Sequence, residues 1–467
     1  MLLNNKEKKI YFLGIGGSGM TPLALLLKKN GYTVAGSDAK KSENTNMLEK
    51  ESIPVNFSHQ KENIRPYDLI VFSSAIKENC PEKQEAFFLN KQIVHRSEVL
   101  AYFVKKYFSI TVAGTHGKTT TSALVEHALN TEKTRAISVL GGESLSNKNH
   151  QDLKNCDFFV AEADESDGTF LNYNPSIALV TNIEEDHLDF FKNYDNVKQS
   201  FKKHIQNIKN KGTYIYNHHD ETCQKIASCF DGKKISFGFD KEASVYATNI
   251  RQKEEGLSFE INTKTERYLS KTPLRGRHNI LNILGSFCVA QELNLSPTKT
   301  IESFAKFKGV KRRLELIYNT PSLKVFDDYA HNPGKILASL LALKKHFPNF
   351  KLITIFQPHR FSRLETMYKT LLSSLKSSDL ILVCPVFKAG EEEKKEQTPE
   401  KIAEDIESFC NKKAKAVYNI KEVIEIINSV KNENTIVSSV GAGDVSKLAH
   451  KIGEHLQCNS SLLKKVS

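Results

Sequence analysis

The chain has 467 residues, 39% hydrophobic and 26% charged, with 66 Lys+Arg against 54 Asp+Glu and a formal net charge of +12. That length predicts two or three domains with cores of their own, and the lack of any apolar run of about 18 residues excludes a transmembrane helix. The positive excess is mostly lysine spread along the chain, without aromatic interleaving or an arginine-rich arm. It therefore argues against nucleic acid as a partner and suits polyanionic small molecules such as nucleotides. Eight cysteines form no C-x-x-C pair, which points to reduced thiols rather than to a zinc site. The first nine residues, Met1 to Lys9, lack the apolar stretch of a signal peptide and pass straight into a strand, so the expected location is the cytoplasm.

Residues 10–15 read as the first strand, followed by Gly14-Ile15-Gly16-Gly17-Ser18-Gly19-Met20 and a helical pattern over Pro22–Lys29. Asp38 ends the next strand, Tyr32–Ser37, about 20 residues on, at the spacing of a dinucleotide fingerprint. The physical content is broader than a nicotinamide cofactor. A pyrophosphate on a helix N-terminus and a carboxylate near a ribose serve a uridine diphosphate sugar equally well. A later strand, Asp68–Ser73, runs into Ser73-Ser74-Ala75. Alternating strands and helices predict a parallel, doubly wound sheet.

The second segment opens with a strand at Phe108–Ala113, then Gly114-Thr115-His116-Gly117-Lys118-Thr119-Thr120, then a helix from Thr121. Glycines bring backbone N–H groups to phosphate oxygens, lysine adds charge, and a hydroxyl at the helix start reaches Mg²⁺. Val112 stands where the common phosphate loop has its first glycine, so this loop is a shortened form. Strands over Phe158–Ala161 and Ile177–Thr181 lead into two acidic clusters, Ala161–Asp167 and Thr181–Asp189. Carboxylates at strand ends suit Mg²⁺ on phosphates. Asp164 and Asp167 read equally well as turn caps, and His187 as metal ligand, phosphoryl contact or helix cap. Residues 233–273 predict a small antiparallel elaboration. Asn279 and Asn282 share one helical face, where paired amides read a base edge or one of them caps the helix.

The third segment opens near Leu314, with strands at Leu323–Phe326, Lys351–Phe356, Asp379–Val383 and Thr435–Ser439 and a helix over Pro333–His346. Asp327-Asp328-Tyr329-Ala330-His331-Asn332-Pro333 and Gln357-Pro358-His359-Arg360-Phe361-Ser362-Arg363 follow strand ends. Asp, His and Arg there suit a substrate carrying both amine and carboxylate. Lys311-Arg312-Arg313 is either a surface patch or a guanidinium on transferring phosphate.

Taken in order along nearly the whole chain, these motifs resemble those of the Mur ligases. The glycine-lysine loop and Phe356-Gln357-Pro358-His359-Arg360 are the most specific of them. The resemblance implies an α/β chain of three domains. A Rossmann-like sugar-nucleotide domain spans 1–106, a central P-loop-type ATPase domain 107–312, and a Rossmann-like C-terminal domain 313–467. It implies ATP and Mg²⁺, UDP-N-acetylmuramate and L-alanine as partners, an acyl-phosphate intermediate, and a place in peptidoglycan synthesis. Position by position, it places Gly114 through Thr120 on ATP, with Lys118 on the phosphates, and Thr119, Glu162 and His187 on the metal. It puts Asn279 and Asn282 on adenine, and Arg313 and Asp328 in the catalytic cleft. His331 is a candidate base. Gly16, Gly17, Ser18, Gly19, Met20, Asp38, Ser73, Ser74, His359 and Arg360 are the expected substrate contacts. Asn332 stands where the relatives carry a second histidine, which leaves the amino-acid preference open, as the sequence also leaves the oligomeric state. A murein-tripeptide ligase is the nearest rival, although the first loop here lacks the Cys and Phe usual in that branch. An NAD oxidoreductase and a catalytically silent nucleotide-binding protein are opposed by the second loop and its acidic partners.

Overall fold

Strands β1 (Lys9–Leu13), β2 (Thr33–Ser37), β3 (Val55–Asn56), β4 (Leu69–Phe72) and β5 (Gln92–His95) form one sheet in the order β3-β2-β1-β4-β5. Every pairing in it is parallel. The computed structural model describes residues 2–466 except 4, 132, 147–151, 395 and 430–433. Ile10 through Leu13 are all buried, as a strand covered on both faces requires. The strand order reverses at β1, so the loops after β1 and β4 lie side by side at the carboxyl edge. Those loops carry Gly14–Met20 and Ser73-Ser74.

The central sheet has nine strands: β6 (Ser109–Ala113), β7 (Ala136–Val139), β8 (Phe158–Glu162), β9 (Ile177–Val180), β10 (Thr213–Asn217), β11 (Lys233–Gly238), β12 (Val245–Lys253), β13 (Gly256–Asn262) and β14 (Arg267–Thr272). Their order is β14-β13-β12-β11-β10-β9-β6-β8-β7. β6 is flanked by β8 and β9 in parallel register, which sets the glycine-lysine loop between the two acidic strand ends. The tail is antiparallel only from β12 onward. β12 meets β11 in parallel, Phe237 beside Val245, whereas the short links from β12 to β13 and β13 to β14 leave no room for a parallel crossover.

The third sheet, β15 (Glu315–Asn319), β16 (Leu323–Asp328), β17 (Lys351–Phe356), β18 (Leu380–Val383), β19 (Lys413–Ala416) and β20 (Thr435–Val440), runs β15-β16-β20-β17-β18-β19. It is parallel except for β15, which pairs antiparallel with β16 across a short hairpin. β20 inserts between β16 and β17, so the ends of those three strands share one edge. The chain divides into two compact units. One holds Met1–Ile250, Phe259–Thr272 and His278–Lys308; the other holds Arg251–Ser258, Pro273–Arg277 and Gly309–Ser467. In the first unit one continuous apolar cluster runs from Ile10 and Phe12 through Phe103 to Phe159, Phe170 and Phe201, and another gathers Tyr11, Leu13 and Ile70. Each such side chain contributes about 1.5–3 kcal/mol of burial. Among the described residues no helix is long and apolar enough to cross a membrane.

Candidate active site

The helix after β6 begins at Lys118 rather than Thr121, and runs to Leu129 with every residue buried except Lys118 and His127. It starts early because Gly117, with φ 84°, turns the chain left-handed and serves as its N-cap. Lys118, Thr119 and Thr120 thus form the first turn of the helix. Gly114 (φ 131°) is equally constrained, since a Cβ there would lie 2.1 Å from Thr181 Oγ1 and 2.9 Å from the Asn182 carbonyl. Asn182 braces the loop. Its carbonyl accepts from Thr115 N at 3.0 Å, and its side-chain oxygen accepts from His116 N at 2.9 Å. His116 Nε2 lies 3.2 Å from Glu184.

Lys118 Nζ donates to Gly114 O and to Glu165 Oε2, each at 2.7 Å. Burial works against its charge, but Glu165, Asp164 and Glu162 outweigh that and hold the ammonium above its ordinary pKa. Thr119 Oγ1 donates to Glu162 Oε1 at 3.0 Å, and Glu162 Oε2 accepts from Gly141 N at 2.8 Å. Glu165 is 2% exposed, and its second oxygen, Oε1, makes no hydrogen bond. That oxygen lies 4.0 Å from His187 Nε2. Sequence reasoning set Glu165 aside, although it stands in the acidic motif between Glu162 and Asp167.

His187 sits at the N-cap of the short helix Leu188–Phe191 with φ 55°, but its side chain makes no capping bond. A left-handed non-glycine residue at a site edge stores strain, and its ring remains turned toward Glu165. Asp164 and Asp167 do hold turns, accepting from Ser166 and Thr169 respectively. Asn282 Nδ2 donates to Asn279 Oδ1 at 2.9 Å in a buried pair. The same Asn282 faces Gly117, where a Cβ would come within 2.6 Å of its Oδ1. Lys118, Thr119, Glu162, Glu165, His187 and the Asn pair therefore meet around one loop.

The first glycine loop is built differently. Asp38 Oδ2 accepts from Gly16 N at 2.9 Å, and Asn44 donates to Gly16 O at 2.8 Å. Gly14 N and Ile15 N both donate to Ser37 O. Ser18 borders a pocket lined also by Thr21, Asn44, Glu126, Gly141 and Glu143. Met20 is buried at the start of the helix Thr21–Lys29. Gly17 and Gly19 keep negative φ; beside Gly19 lies the guanidinium of Arg96, 3.2 Å from where a Cβ would stand. Arg96 is paired with Asp167 at 3.6 Å, and Asp167 also accepts from Ser74 Oγ at 2.6 Å. Ser73 stands one residue before that contact. Neither Arg96 nor its link to Asp167 carries a sequence signal, because the pairing joins segments about 70 residues apart.

In the second unit, Arg312 (φ 60°) donates to Gly441 O and Gly443 O, and its guanidinium lies over the Tyr329 ring, as does that of Arg313. Burial raises the Asp328 carboxyl to about 6 against the pull of Ser339 and Arg313. Asp327 is buried and accepts from Ser439 at 2.7 Å. His331 Nδ1 donates to Tyr329 O at 2.8 Å, which leaves Nε2 as the acceptor. Burial pushes His331 down to about 3, so its imidazole stays neutral and its proton affinity is low. His359 lies beside it, ring centres 5.6 Å apart, and is stacked on Phe387. Arg360 is exposed and left-handed at φ 69°. Asn332 caps the helix Pro333–His346 by accepting from Lys335 N at 2.9 Å. Asparagine is among the best residues for that position.

Three family models match the chain: the Mur ligase family catalytic domain over residues 9–108, the Mur ligase middle domain over 112–290, and the Mur ligase glutamate ligase domain over 312–443. A UDP-N-acetylmuramate–L-alanine ligase of a Sulfurihydrogenibium species is 32% identical over 97% of this chain and 99% of its own length. The ligase of the same name from Ruthia magnifica is 34% identical over 95% and 96%. Among solved structures, a UDP-N-acetylmuramate–alanine ligase from Thermotoga maritima is 28% identical, covers 97% of this chain and 100% of its own, and superposes with a TM-score of 0.84. A murein peptide ligase from Psychrobacter arcticus shares the fold at 23% identity and a TM-score of 0.70, covering 95% and 98%.

Proposed function

The chain belongs to the Mur ligase family, and from that premise we propose that it joins L-alanine to UDP-N-acetylmuramate with cleavage of ATP, in the cytoplasmic stage of peptidoglycan synthesis. One observation carries the reading: Lys118, Thr119, Glu162, Glu165 and His187 converge on one braced loop beside the Asn279–Asn282 pair. Relatives named for this reaction cover nearly all of the chain. We assign 1–106 to the sugar nucleotide, 107–312 to ATP, and 313–467 to the amino acid.

The residues fit a magnesium nucleotide. Gly114 and Gly117 leave a cradle that a Cβ would fill, and Glu165 Oε1 is a buried carboxylate oxygen with no donor. Thr119, Glu162 and His187 would hold the metal, which when bound neutralises phosphate charge and polarises the phosphoryl oxygens. Asn279 and Asn282 would read the adenine edge. In the first domain, Gly16–Met20 would receive the pyrophosphate at a helix N-terminus, with Asp38, Ser73 and Ser74 near the ribose and sugar.

A carboxylate does not condense with an amine unaided. Its oxygen attacks the γ-phosphorus, forming an acyl phosphate and releasing ADP. The amine nitrogen then attacks the acyl carbon, phosphate leaves, and the amine proton passes to a base. Lys118 offsets the repulsion between carboxylate and phosphate, a preorganised charge in a water-poor site. Arg313 and Asp328 are the C-terminal candidates for the cleft. His331, neutral at physiological pH, accepts a hydrogen bond from the incoming amine at Nε2 and orients it. A base with a pKa of about 3 does not retain the amine's proton at neutral pH. His359 and Arg360 stand ready for the amino-acid carboxylate.

The test is phosphate release with UDP-N-acetylmuramate against L-alanine, L-serine, glycine and a murein tripeptide. L-alanine should give the highest kcat/KM. Turnover only with the tripeptide would transfer the chain to the recycling branch, and no turnover with any amine would reject the ligase reading.

A further inference from the structure

The Lys118–Glu165 pair is unusual for a loop meant to receive phosphate. The lysine that should meet the anion already has a buried carboxylate at 2.7 Å. Glu165 is almost fully enclosed, and only one of its two oxygens is used. The unused oxygen faces His187 Nε2 across 4.0 Å. A buried carboxylate oxygen without a donor is costly unless a cation comes to it.

Resting on the nucleotide assignment above, we propose that Glu165 makes the site selective for metal-bound over metal-free nucleotide, by exchanging Lys118 for the divalent cation as its partner. In the free chain Glu165 neutralises Lys118. A bare polyphosphate arriving at the loop meets both a competitor for the lysine and a buried negative charge, so its binding is penalised. A nucleotide that brings a divalent cation removes both obstacles. The cation satisfies Glu165 on the side facing His187, and the ammonium turns its donors to phosphate while Gly114 O keeps one of them. Glu165 is then a positioning residue for Lys118 as well as a cation ligand. Glu162 does not hold the lysine in this way: its two oxygens accept from Thr119 and Gly141, and the carboxylate at 2.7 Å from Lys118 is that of Glu165.

The experiment uses the full chain and a fluorescent ADP analogue, titrated with chelator and with saturating Mg²⁺. Glu165→Gln keeps the shape and removes the charge. Without metal the variant should bind ADP about threefold or more tighter than the unaltered chain, and with Mg²⁺ about tenfold weaker. A residue needed only for folding would weaken both states together. Glu165→Asp, which keeps the charge, should retain the preference for metal-bound ADP, and Mn²⁺ titration followed by its paramagnetic signal should show weakened cation binding in Gln but not in Asp. Equal metal dependence in the Gln variant and the unaltered chain would overturn the proposal. Failure of the unaltered chain to bind ADP in either condition would overturn the nucleotide assignment, and this proposal with it.

Discussion

The two glycine loops, Gly14–Met20 and Gly114–Thr120, share a backbone plan and differ in every side chain that matters. Each follows a buried parallel strand and opens a helix. The first is braced by carboxylate and amide groups on its own backbone, Asp38 on Gly16 N and Asn44 on Gly16 O. The second carries a lysine inside the loop, set among Glu162, Asp164 and Glu165. The difference separates holding from reacting. A pyrophosphate that only anchors a substrate needs donors and shape. A phosphoryl group that is transferred needs a movable charge and a cation. Each loop has a left-handed glycine, Gly14 in the first and Gly114 and Gly117 in the second, but a Cβ at Gly114 would lie 2.9 Å from the Asn182 carbonyl, whereas Gly17 has negative φ and its nearest neighbour is at 3.3 Å.

The contrast breaks most readily at Lys118. Lys118→Ala should lower phosphate release by about 10²-fold or more, the scale of one transition-state charge contact. Near-normal release in steady-state assays would mean that the second loop, like the first, only holds. Next in size, Gly114→Ala should destabilise the first unit by about 2–4 kcal/mol, from positive φ plus a contact the Asn182 backbone cannot relieve. Gly17→Ala should cost less than about 1 kcal/mol. Urea unfolding of both variants decides it, and equal losses would erase the distinction between the loops. Smaller still, Asp38→Ala should weaken sugar-nucleotide binding roughly tenfold by freeing the Gly16 backbone. ATP binding, read by calorimetry, should not change; a parallel loss would show that the two sites are not independent.

Much of the fold was legible because its signals are local. Buried parallel strands read as continuous apolar runs, and Pro333–His346 announces itself by an asparagine cap, a proline and a helical period. β15 escaped the sequence reading as an antiparallel edge, since nothing in Glu315–Asn319 specifies its partner's direction. The tail was read as antiparallel throughout, but β11 and β12 pair in parallel although only a short link joins them, and nothing in that link specifies the direction. His331 shows the same limit in chemistry. Its type and place suggested a base, and only its burial lowered its proton affinity to about 3.

The sequence by itself determined where the glycines, the lysine and the acidic strand ends fall, because strand length, glycine spacing and helix period are properties of short segments. The tertiary structure alone decided which of these groups touch. β8 and β9 flank β6, so Glu162, Asp164 and Glu165 gather at Lys118 on one side of the loop while Glu184, after β9, meets His116. Of the carboxylates at and after the end of β8, the packing gave Glu165 to the lysine and Glu162 to Thr119. It also set Arg96 and Asp167 beside the first loop. The physical reason is that pairing energies between buried charges depend on distances of a few ångströms, which are set by strand order across the sheet and not by spacing along the chain.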